Sequence, residues 1–225
     1  MTEVLVRWAH VDDLTPAHVA CLDTDERARR ARLRHEGDRA RFTLGGVLLR
    51  AVVGELDGTD PTRVALDRSC PRCGEQHGPV TAPGRPWVAS VAHSGSFAVA
   101  AVTEAPGRIG ADLETRCPHD WTELLPGGGA GRAGAGRRGA FVRRWVRKEA
   151  VLKATGEGLR RPMTTVRVTR TPDGARARLT DAGAALHVID LDPTPLLAAG
   201  APAPTAGAVA LEADAPQVRW ERATL

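Results

Sequence analysis

A chain of 225 residues, 42% of them hydrophobic and 26% charged, has apolar material for one large domain or two small ones. Aromatic residues make up only 4% and tyrosine is absent, so a core has to be built from Ala, Val and Leu. The net charge of +4 suits an acidic partner or a phosphorylated ligand without implying nucleic acid. No segment supplies the ~20 apolar residues of a membrane span, and the start lacks a basic stretch followed by an apolar run. A cytoplasmic protein is expected, in which Cys21, Cys70, Cys73 and Cys117 stay reduced unless a metal takes them.

In chain order, Val4 to Trp8 predicts a first strand and Thr15 to Cys21 a short helix behind Pro16. Asp25 to Arg41 follows as one helical run dense in arginine, Arg29, Arg30 and Arg41 among them, and most of these describe a solvated face. The helix continues from Arg41 to Leu56 with Leu44, Val47, Leu48, Ala51 and Val52 as its core face. Cys70-Pro71-Arg72-Cys73, with His77 four residues on, has the turn of a zinc knuckle. Structural zinc usually takes four ligands, and there is no second C-x-x-C or H-x-x-x-H. A reduced loop pair and a metal site therefore both stay open, with Cys117 and His119 as ligands only if the fold brings them near. Trp87 to Val102 predicts two strands joined at His93-Ser94-Gly95-Ser96, where a lone histidine beside a tight turn reads as a hydrogen-bonded structural residue.

Arg108 to Glu114 alternates as a strand, sending Ile109, Ala111 and Leu113 to one face and Asp112 and Glu114 to the other. Two carboxylates on one strand face repel unless a cation lies between them. Pro126 to Gly139 is glycine-rich and predicts a flexible loop, not a P-loop, because no G-K-[ST] follows it. Its arginines and those just after, Arg132, Arg137, Arg138, Arg143 and Arg144, either meet an acidic partner or keep the loop soluble. From Phe141 to Leu159 helical spacing aligns Phe141, Trp145, Lys148 and Leu152, with Glu149 at the border and Gly156 and Gly158 as the stop. Glu149 and Lys153 either form a surface ion pair, or Glu149 joins Asp112 and Glu114 as three hard oxygen donors suited to Mg²⁺ with substrate phosphates. Val166 to Thr169, Arg176 to Leu179, Leu186 to Leu191 and Gly207 to Glu212 predict four further strands, and the tail from Ala213 carries no legible chemistry.

Gly110-Asp112-Glu114, a gap of about thirty residues, and Trp145-Lys148-Glu149-Ala150-Lys153 followed by a glycine resemble the two-lobed, surfactin-type 4′-phosphopantetheinyl transferases. The resemblance implies an α+β fold of two similar lobes related by a pseudo-two-fold axis, each a small, mostly antiparallel sheet with a packed helix. The division expected here is residues 1–105 and 106–225, and Leu49-Arg50-Ala51 is echoed in Leu152-Lys153-Ala154. It also implies a monomer that moves the 4′-phosphopantetheine arm of coenzyme A to a serine of an apo acyl or peptidyl carrier protein, releasing 3′,5′-ADP. The implied roles are Asp112, Glu114 and Glu149 around Mg²⁺, Glu149 as base, and Lys148 and Lys153 on the phosphates, with Lys153 also at the leaving group. Arg41, and more loosely Arg29 or Arg30, would meet the 3′-phosphate of coenzyme A, and His93 and Ser94 the coenzyme.

Departures from the family pattern are Pro79 and Val80 after Gly78, where a G-K-P segment lies beside the adenine, Ala92 in place of a serine, and the glycine-rich insert. They leave room for a transferase-like protein that binds coenzyme A or a carrier without turnover. A basic nucleic-acid-binding module would use the arginine run and the C-x-x-C turn. It lacks interleaved aromatics and leaves Asp112, Glu114 and Glu149 without a purpose, so neither nucleic acid nor membrane is expected as a partner.

Overall fold

The computed structural model describes residues 2–70, 72–104, 107–116, 134–171, 174–179, 185–213 and 216–225. The chain opens with β1 (Glu3–His10), followed by a 3₁₀ turn at Pro16–Cys21. Next comes α1 (Thr24–Arg32), which starts with a capping box: the Glu26 N–H donates to Asp23 and the Asp23 N–H to Glu26. The single run expected from Asp25 to Arg41 is in fact broken. Leu33 and His35 are extended, and a second helix, α2 (Glu36–Asp57), starts after them. A buried ion pair ties the two helices together: Arg50 on α2 bonds Glu26 on α1 at 2.8 Å and also donates to the carbonyls of Val64 and Gly46.

The strands β2 (Asp67–Ser69), β3 (Gln76–Thr81), β4 (Trp87–Ser94) and β5 (Phe97–Glu104) follow, then β6 (Ile109–Glu114). After α3 (Ala135–Ala154) come β7 (Val166–Thr171), β8 (Gly174–Leu179), β9 (Ala185–Leu191), α4 (Thr194–Ala198), β10 (Ala206–Leu211) and β11 (Gln217–Arg222). One sheet has the order β11-β1-β5-β4-β3-β2 and the other β6-β10-β9-β8-β7. Among the described residues all pairings are antiparallel except β11 on β1. The fold is thus α+β with two mostly antiparallel sheets.

Three apolar layers hold the elements together. Leu44, Leu48, Leu49, Val52 and Val53 of α2 pack on Leu5, Ala98, Ala100 and Val102 of the first sheet. Phe141, Val142, Val146, Ala150 and Val151 of α3 pack on Ala177, Val188 and Ala208 of the second. Between the sheets lie Val4, Val6, Trp8, Val99 and Ala101 from one side and Ile109, Ala111, Leu113, Val209 and Leu211 from the other. The period-two face assigned to β6 is therefore the one buried between the sheets.

Several expectations need correction. Part of the glycine-rich stretch is helical, since α3 begins at Ala135; Arg137 and Arg138 donate their N–H groups to the Gly134 carbonyl. Residues 126–133, with Arg132, and both Cys117 and His119 lie outside the described residues. The expected stripe of α3 holds in part: Phe141 and Leu152 are buried, Trp145 and Lys148 are half-buried at its edge, and Val142, Val146, Glu149 and Ala150 complete the buried face. The tail, which carried no legible chemistry, does have a structural role, because β11 returns from the far end of the chain to pair with β1 at the rim of the first sheet.

Candidate active site between β6 and α3

Gly110 on β6 sets the geometry. A Cβ there would lie 2.0 Å from the Ala150 carbonyl oxygen and 2.4 Å from the Ala154 nitrogen, so only glycine lets α3 rest directly on the strand. The turn of α3 carrying Glu149 and Lys153 is thereby laid over Asp112. Lys153 does not pair with Glu149 as a surface ion pair. Its Nζ donates instead to Asp112 Oδ1 at 2.7 Å and to the Ala111 carbonyl at 3.1 Å.

Asp112 and Glu149 are buried, and Glu114 sits half-buried at the strand end. Burial raises the pKa of all three carboxyls, and their mutual repulsion raises Glu114 and Glu149 further. Glu149 is pushed up to about 7, first by lost hydration, then by Asp112 and Glu114, with Lys153 opposing. The Asp112 Oδ2 is buried without a hydrogen-bond partner. Such a site is short of positive charge. Three hard oxygen donors, one with an orphaned atom, fit a small divalent cation better than a soft one. Among the described residues the side chains do not form a cluster of three metal donors, and Lys153 occupies Oδ1 of Asp112 while Oδ2 stays unpartnered.

Ser94, at the end of β4, donates its hydroxyl to Glu114 at 2.8 Å and accepts the Thr115 N–H at 3.0 Å. It thus orients Glu114. His93, exposed by area, faces Lys153 and Arg41; lost hydration first, then these two charges, lower its pKa. Arg41 donates to the Gly95 carbonyl at 3.1 Å and pairs with Asp38, so it stands against the same turn. Arg29 lies over the Phe42 ring at 5.5 Å and donates to the Gln76 carbonyl at 2.8 Å. Lys148 points elsewhere: its Nζ donates to the Met163 carbonyl at 2.7 Å, and it contributes nothing to the shifts of the three carboxyls.

Two hollows meet at Arg68, one reaching Lys153 and the other edged by Asp23, Asp25, Glu26, Asp67 and Glu75 as well as by arginines; neither is lined by Asp112, Glu114 or Glu149. A 270 Å³ cavity is bounded by Lys153, Gly156, Pro79, Ser90 and Arg68, and a 630 Å³ cavity by Arg29, Phe42, Gln76 and Arg68. Arg68, which sequence reasoning missed, borders both. Its Nε is buried without a hydrogen-bond partner, and lost hydration lowers its pKa. The residue stands on β2 beside the segment that lacks the expected lysine. Nothing in the pattern of β2, only three residues long, marks it in advance.

A family model described as the 4′-phosphopantetheinyl transferase superfamily matches residues 108–195, the stretch that holds β6 and α3. The 4′-phosphopantetheinyl transferase HetI of Nostoc sp. is 30% identical over 190 residues, 77% of this chain and 76% of the relative. The chain belongs to the 4′-phosphopantetheinyl transferase superfamily. A phosphopantetheinyl transferase of Thraustochytrium sp. is 28% identical over 182 residues, 68% of this chain; the chain spans 58% of that relative's length. Within this superfamily member, both halves of the sequence motif come together at one place, Gly110 and Asp112 from β6 against Glu149, Ala150 and Lys153 from α3.

Proposed function

We propose that the protein transfers the 4′-phosphopantetheine arm of coenzyme A to a serine of an apo acyl or peptidyl carrier protein, acting as a monomer in the cytoplasm. The observation that carries this reading is the seating of α3 on β6 through Gly110, which sets Glu149 and Lys153 over Asp112. Asp112, Glu114 and Glu149 would hold Mg²⁺, which supplies neutralisation of the coenzyme A pyrophosphate. The rest of the chemistry belongs to side chains of this chain.

In the transfer, the serine oxygen forms a bond to the phosphorus that carries the pantetheine arm. The phosphoanhydride bond on the other side breaks, and 3′,5′-ADP leaves. The serine proton goes to Glu149, which a cation among the three carboxylates would keep ionised, or to a water that Glu149 orients. Lys153, freed from Asp112, balances charge growing on the departing phosphate. Arg41 and His93 at the β4–β5 turn, with Arg29 across the larger hollow, receive the 3′-phosphate end, and Arg68 supplies the cation that the segment after Gly78 lacks. Ser94 serves the site through Glu114, and Lys148 through the Met163 segment, rather than by touching coenzyme A. The nucleophile comes from the partner, and Ser94, whose hydroxyl is committed to Glu114 and to the Thr115 N–H, serves to hold that carboxylate in place.

The test is the intact mass of an apo carrier protein incubated with this protein, coenzyme A and Mg²⁺. A Mg²⁺-dependent gain of one phosphopantetheine unit is expected. No gain across carriers from fatty-acid, polyketide and peptide synthesis would overturn the proposal.

A further inference from the structure

Asp112 and Glu114 take their places from a strand at the rim of its own sheet. β6 has β10 on one side only, so the backbone groups along its other edge have no ladder partner. Two serine side chains of the first sheet take that role. The Ala111 N–H donates to the Ser90 hydroxyl oxygen at 2.9 Å, and the Thr115 N–H to that of Ser94 at 3.0 Å. The serines lie four residues apart on β4, and the N–H groups they accept lie four apart along β6 and just past its end. The two bonds therefore lock one register between the sheets.

Ser94 reaches Glu114 directly, whereas Ser90 acts through Ala111. The N–H and C=O of a strand residue point to the same side. The Ala111 carbonyl accepts from Lys153 Nζ at 3.1 Å, and the same ammonium bonds Asp112 Oδ1 at 2.7 Å. Both outward backbone groups of Ala111 are thus held by side chains, one from β4 and one from α3. Ala111 is 0% exposed and Ser90 7%, so an N–H released from Ser90 would meet no water, and its peptide would have to move to pair it. Such a move carries Asp112, the next residue, and the carbonyl that Lys153 holds. The close approach at Gly110 leaves α3 resting on the same strand, so the shift would also reach Glu149.

We propose that Ser90 is a positioning residue for the transfer: it pins Ala111 to β4 and so sets the spacing between Asp112 and Lys153. The role rests on the transferase reading given above. The rival role is direct contact with coenzyme A, since Ser90 also lines the 270 Å³ cavity that reaches Lys153.

Amide hydrogen exchange, followed by NMR on the ¹⁵N-labelled full chain, reads the bond itself. In Ser90→Ala the Ala111 amide should exchange about tenfold faster or more, with the Thr115 amide, held by Ser94, as the unchanged reference. In the carrier-mass assay, run as initial rates, Ser90→Ala should lower kcat about tenfold with KM for coenzyme A within about twofold of the parent. Ser90→Thr keeps the accepting oxygen and should recover most of the rate. Should Ser90→Ala not fold, Ser90→Cys, similar in shape but a weak acceptor, replaces it in both measurements. Unchanged exchange at Ala111 would overturn the proposal whatever the rates. So would an unchanged kcat, a rise in KM alone, or a loss of rate in Ser90→Thr as deep as in Ser90→Ala. A parent that modifies no carrier would instead refute the transferase reading and the catalytic role with it, and faster Ala111 exchange in the variant would still show the strut between the sheets.

Discussion

Replacing Glu149 by Gln removes a titrating carboxyl while keeping its shape, and so separates what the site costs the fold from what it does. The folded protein holds Glu149 at about 7, against an ordinary value of 4.5. Because the folded value is the higher one, the group's contribution to stability is fully present below about 4.5 and is lost as pH rises through about 7. At about 1.4 kcal/mol per pH unit the loss amounts to about 3 kcal/mol. Gln stands in for the protonated carboxyl at every pH. Glu149→Gln should therefore be more stable than the parent by about 3 kcal/mol at about pH 8, and by only about 1 kcal/mol at about pH 5. Urea unfolding in EDTA at the two pH values reads the difference. Adding Mg²⁺ should narrow the gap at the higher pH, because only the parent gains from a cation beside its ionised carboxylate. The variant should be inactive in the carrier-mass assay. Equal stabilities at the higher pH would refute the claim that burial and like charges strain this carboxyl.

Three other substitutions probe separate parts of the argument. Lys153→Arg should lower the transfer rate about tenfold or more with circular dichroism unchanged, because one compact ammonium reaches Asp112 Oδ1 and the Ala111 carbonyl from a single point and a planar fork does not; near-parental turnover would remove Lys153 from the mechanism. Arg68→Ala should raise KM for coenzyme A about tenfold with kcat little changed, as expected of a group that binds substrate and transition state alike; an unchanged KM would remove Arg68 from the binding wall. Arg50→Ala should lower unfolding stability by roughly 3–5 kcal/mol, because it strands the buried Glu26 without its partner. A loss under about 1 kcal/mol in urea melts would show that the α1–α2 junction does not depend on the pair.

The sequence made the second sheet and the site's backbone legible because both rest on local periodicity. The alternation of Ile109 to Glu114 assigns the two faces of β6, and four later strands follow from apolar runs between proline and glycine turns. Three features escaped because they depend on contacts far apart in sequence. The ion pair that ties α2 back onto α1 joins Arg50 to Glu26 across twenty-four residues. The pairing of β11 with β1 joins the two ends of the chain. The Lys153 contact with Asp112 crosses 41 residues and depends on the close approach at Gly110, which helical spacing alone assigns to Glu149 instead. Ser94 was legible as a site residue but not in what it does there, because its hydroxyl is held by Glu114 and Thr115, both beyond the β-turn that drew attention to it.

Composition carries one more signal. Of the 31 Lys and Arg residues, only Lys148 and Lys153 are lysine, five residues apart on the helix that also holds Glu149. A composition that uses arginine for every other cation treats the two as interchangeable wherever a charge faces solvent, since surface positions tolerate either. The exceptions fall where a guanidinium is the wrong shape. Lys148 makes a single 2.7 Å bond to the Met163 carbonyl, and Lys153 threads between a carbonyl and a buried carboxylate. Arginine brings five donors in a fixed plane, and each donor left unpaired in a buried place costs free energy. Lysine can also let go of Asp112 more readily than a bidentate fork. That matters for the proposed mechanism, in which a cation at the free Asp112 Oδ2 would compete with the ammonium on Oδ1. Lys153 thus fills a site short of positive charge, and in the proposed mechanism the residue paired with Asp112 is the one that would turn to the substrate phosphates.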